Sequence, residues 1–113
     1  MKYAKVTAVV RAELLTPIEQ RMVSEGVSGM SVTEVRGFGE LKDFFKQDLL
    51  TRHVRIEIFT LAERADTLAQ AIMQEAGTGE SGDGIVAVLP AQQVYRIRTR
   101  AALEAPQPRD DTD

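Results

Sequence analysis

Hydrophobic residues recur along this chain with two periods, and the changes of period mark the expected elements. Between residues 2 and 11, Ala4, Val6, Ala8 and Val10 alternate with Lys5, Thr7 and Val9, the period-two pattern of a strand. Thr16-Pro17-Ile18-Glu19 has the form of a capping box with Pro at the first helical position. It predicts a helix over about 16–25 that turns Ile18, Met22 and Val23 inward and stops at Gly26. A second strand, with imperfect alternation, is expected over about 29–38 through Met30, Val32 and Val35.

The second half repeats this order. Val54, Ile56 and Ile58 alternate with Arg55 and Glu57, giving a third strand. Thr60-Leu61-Ala62-Glu63 reads as another capping box. Leu61, Ala65, Leu68, Ala69, Ile72, Met73 and Ala76 then form a helical stripe that Gly77 ends. Ile85–Leu89 is a strand that Pro90 is expected to break, and Val94–Thr99 a final strand. Two βαβ units side by side predict an α+β, ferredoxin-like fold: an antiparallel sheet with two helices on one face. The other sheet face then needs a partner, which points to an oligomer. Residues 1–101 form the expected domain, and residues 40–53 a flexible connecting loop, long for a compact unit. Residues 102–113, rich in acids with two prolines, read as a disordered acidic tail.

Charge and composition narrow the function. The formal net charge is −3, and residues 104–113 alone carry four acids and one Arg, so the rest of the chain is balanced. A neutral body without Trp argues against nucleic acid as a partner, which would need a basic footprint. No apolar run approaches the roughly 20 residues of a membrane span, so no direct membrane insertion is expected. The start has no signal-peptide pattern, and a cytoplasmic location follows as the expectation. With no Cys and a single His, His53, the chain offers no disulfide framework and no one-chain transition-metal set. His53 reads as a structural or exposed residue. No Ser–His–Asp or Cys–His set is present.

Three segments could carry chemistry. Gly77-Thr78-Gly79-Glu80-Ser81-Gly82-Asp83-Gly84 holds four glycines in eight residues. It reads either as a nest of backbone N–H groups for an anion or as a helix end followed by a turn. No Gly-Lys-Ser/Thr follows, so it is not a Walker loop. Arg96-Ile97-Arg98 would place two guanidiniums roughly 6.6 Å apart on one strand face, either forked onto a phosphate or carboxylate or simply solvated. Gly37-Phe38-Gly39 allows close backbone approach to a ligand, or marks a strand-end bulge.

Together these stretches resemble the P-II nitrogen-regulatory signal-transduction proteins. The matching segments are Gly29-Met30-Ser31-Val32-Thr33-Glu34-Val35-Arg36-Gly37-Phe38-Gly39, Val54-Arg55-Ile56-Glu57-Ile58, Thr78 to Gly84, and Arg96-Ile97-Arg98-Thr99, in family order. The resemblance implies a compact homotrimer with adenine-nucleotide sites in the clefts between subunits. It implies that Gly37, Phe38, Gly39, Thr78, Gly79, Gly82, Asp83 and Gly84 enclose the nucleotide. Arg96 and Arg98 would reach its phosphates, and Ser31, Thr33 and Phe59 would line the adenine pocket. The chain departs from the family where a Lys follows Gly-Asp-Gly (here Ile85) and where Arg-Gln follows Gly-Phe-Gly (here Glu40-Leu41). Losing one charge-assisted phosphate contact costs on the order of 1.5–3 kcal/mol. ADP or AMP is therefore expected over ATP, with no metal required, and Mg-ATP with 2-oxoglutarate is disfavoured.

The central loop departs as well. Residues 40–53 hold no Tyr, so the nucleotidylation known from many bacterial members has no acceptor there, and Thr51 is the only hydroxyl. Leu41, Phe45 and Leu49 fall at i, i+4, i+8, with Phe44 beside them. They read as a hydrophobic anchor for a protein target or as packing against the trimer's own surface. In lacking the Tyr the chain resembles some divergent P-II-like proteins that are associated with bicarbonate transporters and carboxysomes and use bicarbonate as a second ligand. Such relatives often carry a C-terminal Cys pair, which this chain lacks. The expectation is a non-enzymatic regulator of a transporter or a carbon- or nitrogen-assimilation protein. The rivals are a weak nucleotide hydrolase in the same cleft and a constitutive transporter-associated subunit.

Overall fold

The computed structural model describes residues 2–36 and 52–103. Along these residues run β1 (Tyr3–Arg11), a 3-10 turn (Ala12–Leu14), α1 (Leu15–Ser24), β2 (Ser31–Val35), β3 (His53–Leu61), α2 (Ala62–Ala76) and β4 (Ile85–Ala91). The short strands β5 (Tyr95–Arg96) and β6 (Ala101–Ala102) follow. The main sheet has the order β2-β3-β1-β4 and is antiparallel throughout, the ferredoxin-like arrangement expected from the doubled pattern.

The alternation in β1 and β3 builds the core. Ala4, Val6, Ala8 and Val10 pair in register with Thr60, Ile58, Ile56 and Val54. Directly opposed residues share a face, so one face of the central strands is a continuous apolar surface. Ile18 and Met22 of α1 and Leu68 and Ile72 of α2 cover it, each almost fully buried. Burying one such side chain stabilises the fold by about 1.5–3 kcal/mol, so the heart of the domain lies between β1, β3 and the two helices. Arg21 ties the two helices together through Glu75 of α2 at 2.9 Å, and bridges to Glu25 at the end of its own helix at 3.0 Å.

Several local expectations need correction. Neither capping box forms. The 3-10 turn feeds directly into α1, whose N-cap is Leu14, so Thr16 lies within the first turn. Thr60 stays in β3 opposite Ala4, and the Ala62 N–H at the start of α2 donates to the Lys2 carbonyl at 2.8 Å. Val23 and Met73 are exposed, each one step round its helix from a buried neighbour, Met22 and Ile72, and past the sheet. Ala71 takes an inward place that the stripe had left out. The stop at Gly26 holds: its N–H reaches the Val23 carbonyl while that of Val27 reaches Met22, each at 3.0 Å, a Schellman closure.

Pro90 does not break its strand; it lies inside β4 opposite Ala4. Within this sheet β4 pairs only with β1, and an edge strand accepts Pro where the missing donor faces outward. The final strand is shorter than expected. Only Tyr95–Arg96 is extended, and it pairs with Ala101–Ala102 across a turn over residues 97–100. The Arg100 N–H closes that turn on the Arg96 carbonyl at 2.9 Å. Ordered chain continues past 101: the Leu103 N–H donates to Val94 at 2.8 Å, and the Tyr3 hydroxyl donates to the Leu103 carbonyl at 3.1 Å. At the other end His53 opens β3 rather than closing the connecting loop.

The sheet face away from the helices carries Lys5 with its cross-strand partners Phe59 and Leu89, both exposed, together with Ser31 and Thr33 on β2. No helix of the described residues is long and apolar enough to cross a membrane.

Candidate functional site

The polar side chains of the described chain concentrate where β1 ends, β3 begins and the glycine-rich segment crosses. Arg11 closes β1 and lies opposite His53, which opens β3. Residues 77–84 leave α2 and return to β4 across this corner. Gly84 fixes how close they come. Its φ is +97°, and a Cβ there would lie 1.8 Å from the Val9 carbonyl oxygen, so only glycine fits between the loop and β1.

Inside the loop, Asp83 is the hub. Its Oδ2 accepts the backbone N–H of Thr78 at 2.8 Å and that of Gly79 at 2.9 Å. Its Oδ1 accepts the Thr78 hydroxyl at 2.5 Å and Arg11 Nε at 3.3 Å. The Thr78 hydroxyl oxygen in turn accepts the Glu80 N–H at 3.2 Å. Partial burial works to raise the Asp83 pKa. The hydrogen bonds from Thr78, Gly79 and Arg11 outweigh it and hold the carboxyl down to about 2. The two readings of this segment meet here. Backbone N–H groups do converge on an anion, and the anion is the chain's own carboxylate.

Two side chains complete the corner. Arg11 Nη2 donates to the Ser81 carbonyl at 2.7 Å. His53, buried at 3% exposure, has Nε2 2.8 Å from the Gly82 carbonyl oxygen. A carbonyl only accepts, so Nε2 carries the proton in this contact. At the foot of β3 the Arg52 carbonyl accepts the Ala12 N–H at 2.8 Å, and the Arg52 guanidinium pairs with Glu34 of β2.

The expected site residues fall into four groups. Thr78, Gly79, Gly82, Asp83 and Gly84 form this one loop. Ser31, Thr33 and Phe59 lie on β2 and β3, on the sheet face away from the helices, with Ser31 opposite Glu57 and Thr33 opposite Arg55. Arg96 and Arg98 do not share a strand face, because β5 ends at Arg96 and Arg98 sits exposed in the following turn. Gly37, Phe38, Gly39, Leu41, Phe44, Phe45 and Leu49 lie outside the described residues. Arg11, which sequence reasoning did not single out, and His53, which it read as structural or exposed, are the side chains that complete this corner. The one available signal for Arg11 was a charge following the apolar pair Val9-Val10. Among the described residues no group of three or more His, Cys, Asp or Glu is placed to hold a metal ion.

A four-stranded antiparallel sheet with two helices on one face and a glycine loop organised around a carboxylate at one corner defines a small α+β module. Comparison with known proteins sharpens this. The family described as "Nitrogen regulatory protein P-II" matches residues 3–101, and the chain belongs to that family of regulatory signalling proteins. Nitrogen regulatory protein P-II of Pasteurella multocida is 36% identical over 103 residues, covering 84% of this chain and 91% of the relative. The P-II homolog of Arabidopsis thaliana is 32% identical over 87% of this chain, which spans 54% of that longer protein. A crystal structure of Arabidopsis thaliana PII bound to citrate superposes with a TM-score of 0.76 at 31% identity, covering 91% of this chain and 90% of the other.

Proposed function

We propose that this protein is a non-enzymatic, cytoplasmic P-II-type regulator that assembles as a homotrimer and binds adenine nucleotide at the loop of residues 77–84. ADP or AMP is favoured over ATP. The observation that carries this reading is the loop itself: Thr78, Gly79 and Asp83 are locked together, so the loop is shaped before any ligand arrives. The residue after Gly84 is Ile85, half-buried and paired with Val9, so an aliphatic side chain stands at the position next to the loop. A triphosphate gains least from such a site. Arg96 and Arg98, carried on the projecting hairpin, supply the cationic charge, and exposed Phe59 with Ser31 and Thr33 supplies the base pocket.

The exposed apolar positions on the open sheet face, Phe59 and Leu89, support assembly of several copies through that face. The residues between the two described segments, among them Leu41, Phe44, Phe45 and Leu49, would engage the protein target, a transporter or an assimilation enzyme. Bicarbonate is the second ligand in this reading. The citrate in the Arabidopsis relative's structure supports a family capacity for small carboxylate-type anions. Hydrolysis is the weaker reading, because a carboxylate held down to about 2 is a poor general base.

Isothermal calorimetry with ATP, ADP and AMP, each with and without bicarbonate or 2-oxoglutarate, tests the assignment. ADP or AMP binding at micromolar concentration, tighter than ATP, is expected. Absence of adenylate binding below millimolar concentration would end the nucleotide reading. Tight ATP binding with 2-oxoglutarate would overturn the preference argued from Ile85, Glu40 and Leu41.

A further inference from the structure

Two successive carbonyls of the loop are taken up by side chains from the sheet: Ser81 by Arg11 at 2.7 Å, and Gly82 by His53 at 2.8 Å. Arg11 and His53 are direct cross-strand partners, so this pair of donors is set by the register of β1 and β3. No described peptide bond is cis, and in a trans peptide the N–H lies on the edge opposite the C=O. Holding the Ser81 and Gly82 carbonyls against Arg11 and His53 therefore directs the next two amides, of Gly82 and Asp83, to the opposite side of the loop. Gly82 has a φ of +95°, a region in which glycine moves freely. Left alone, the peptide between Gly82 and Asp83 could turn over and place a carbonyl oxygen where an amide now points. An anion at that side would then face a lone pair.

We propose that His53 is a positioning residue for the ligand loop: its Nε2–H latches the Gly82 carbonyl so that the Asp83 amide stays turned toward the anion side. This rests on the nucleotide reading for the ligand, but the latch itself belongs to the ligand-free protein. The imidazole is buried at 3% exposure, so water does not compete effectively for the contact. The donor atom matters more than the ring. A Gln at this position can place an amide N–H near the Nε2 point, whereas Asn ends near Nδ1 and falls short.

The test compares His53→Gln and His53→Asn in the full chain, with ADP as the probe. The expectation is ADP affinity within about 3-fold of the parent for His53→Gln and weaker by about 10-fold or more for His53→Asn, the loss of one buried hydrogen bond. Thermal unfolding checks that both variants are folded. Equal affinity for His53→Asn and the parent overturns the latch, as does equal loss in the two folded variants. A second readout needs no ligand: the Asp83 amide resonance in the free protein should move in His53→Asn and hold in His53→Gln. If the parent binds no ADP, the nucleotide reading falls, and this resonance alone decides the latch; no shift in His53→Asn overturns it. A third readout needs no substitution. On ADP addition the parent's imidazole Nε2–H and Asp83 amide resonances move together, and an unmoved pair at saturation overturns the proposal.

Discussion

The loop of residues 77–84 and the hairpin of residues 95–102 are both turns that carry expected ligand groups, and they are held in opposite ways. The loop is closed by its own polar groups and by side chains from the sheet. Asp83 accepts from Thr78 and Gly79, Arg11 and His53 hold two of its carbonyls, and Gly84 is wedged against Val9. The hairpin has two-residue strands, a turn residue at positive φ in Arg100, and Ile97 at its tip 91% exposed. Next to it the Leu103 N–H donates to Val94, and the Tyr3 hydroxyl of β1 donates to the Leu103 carbonyl. A loop whose polar groups close on one another is preorganised by its own chain. A hairpin that carries a 91% exposed Ile at its tip presents apolar surface to solvent, as expected for a group that works against a second copy.

This contrast can be broken at either end. The largest effect should come from Gly84→Ala, because a Cβ cannot coexist with the Val9 carbonyl at 1.8 Å and the positive φ adds strain. A loss of about 3 kcal/mol or more is expected in denaturant unfolding; an unchanged midpoint would mean that the loop does not rest on β1. Next, Asp83→Ala removes every acceptor of the hub and should cost about 2 kcal/mol. Amide exchange at Thr78 and Gly79 should accelerate with it, and unaltered exchange would show that another group closes the loop.

Acid probes the same hub. The Asp83 carboxyl is depressed from 3.8 to about 2 in the folded protein. Its contribution is complete above the unfolded value and is lost as pH falls through the folded one. Between about pH 5 and pH 2 the parent should lose about 1–2 kcal/mol from this group, allowing for its partial exposure. Asp83→Asn should lose less over the same interval, and parallel pH profiles for the two proteins would remove Asp83 as the cause. The smallest effect on folding is expected at the hairpin. Ile97→Ser should change the stability of dilute protein by less than about 0.5 kcal/mol while reducing self-association in sedimentation velocity. A large stability loss with intact assembly would place Ile97 in the chain's own packing.

Much of the site was legible residue by residue and little of it as an arrangement. Thr78, Gly79, Gly82, Asp83 and Gly84 stand out because clustered glycines beside polar residues are visible in one dimension. What they do with their N–H groups is not visible, and the loop turned out to hold its own anion. An i, i+2 spacing places Arg96 and Arg98 on one face only if the strand runs through both. The chain instead turns after Arg96, and Tyr95–Arg96 pairs with Ala101–Ala102. Arg11 and His53 lie 70 and 29 residues from the carbonyls they hold, and nothing local marks either side chain as belonging to the loop.

The βαβ doubling, the apolar face of β1 and β3, and the covering residues Ile18, Met22, Leu68 and Ile72 are all legible in the order of residues. Those features follow from periodicity, which any stretch of chain carries within itself. Where helix α1 stops and where glycine is needed are legible there too. How α2 begins depends on the folded chain, where the Lys2 carbonyl takes up the Ala62 N–H in place of a cap by Thr60. The folded chain likewise decides that Pro90 stays in a strand and that the first partner of the glycine loop is Asp83. Each of these depends on which distant group arrives to satisfy a backbone donor or acceptor. A buried polar group must be paired, but its partner is chosen by proximity in space, and proximity exists only once the strands are in register.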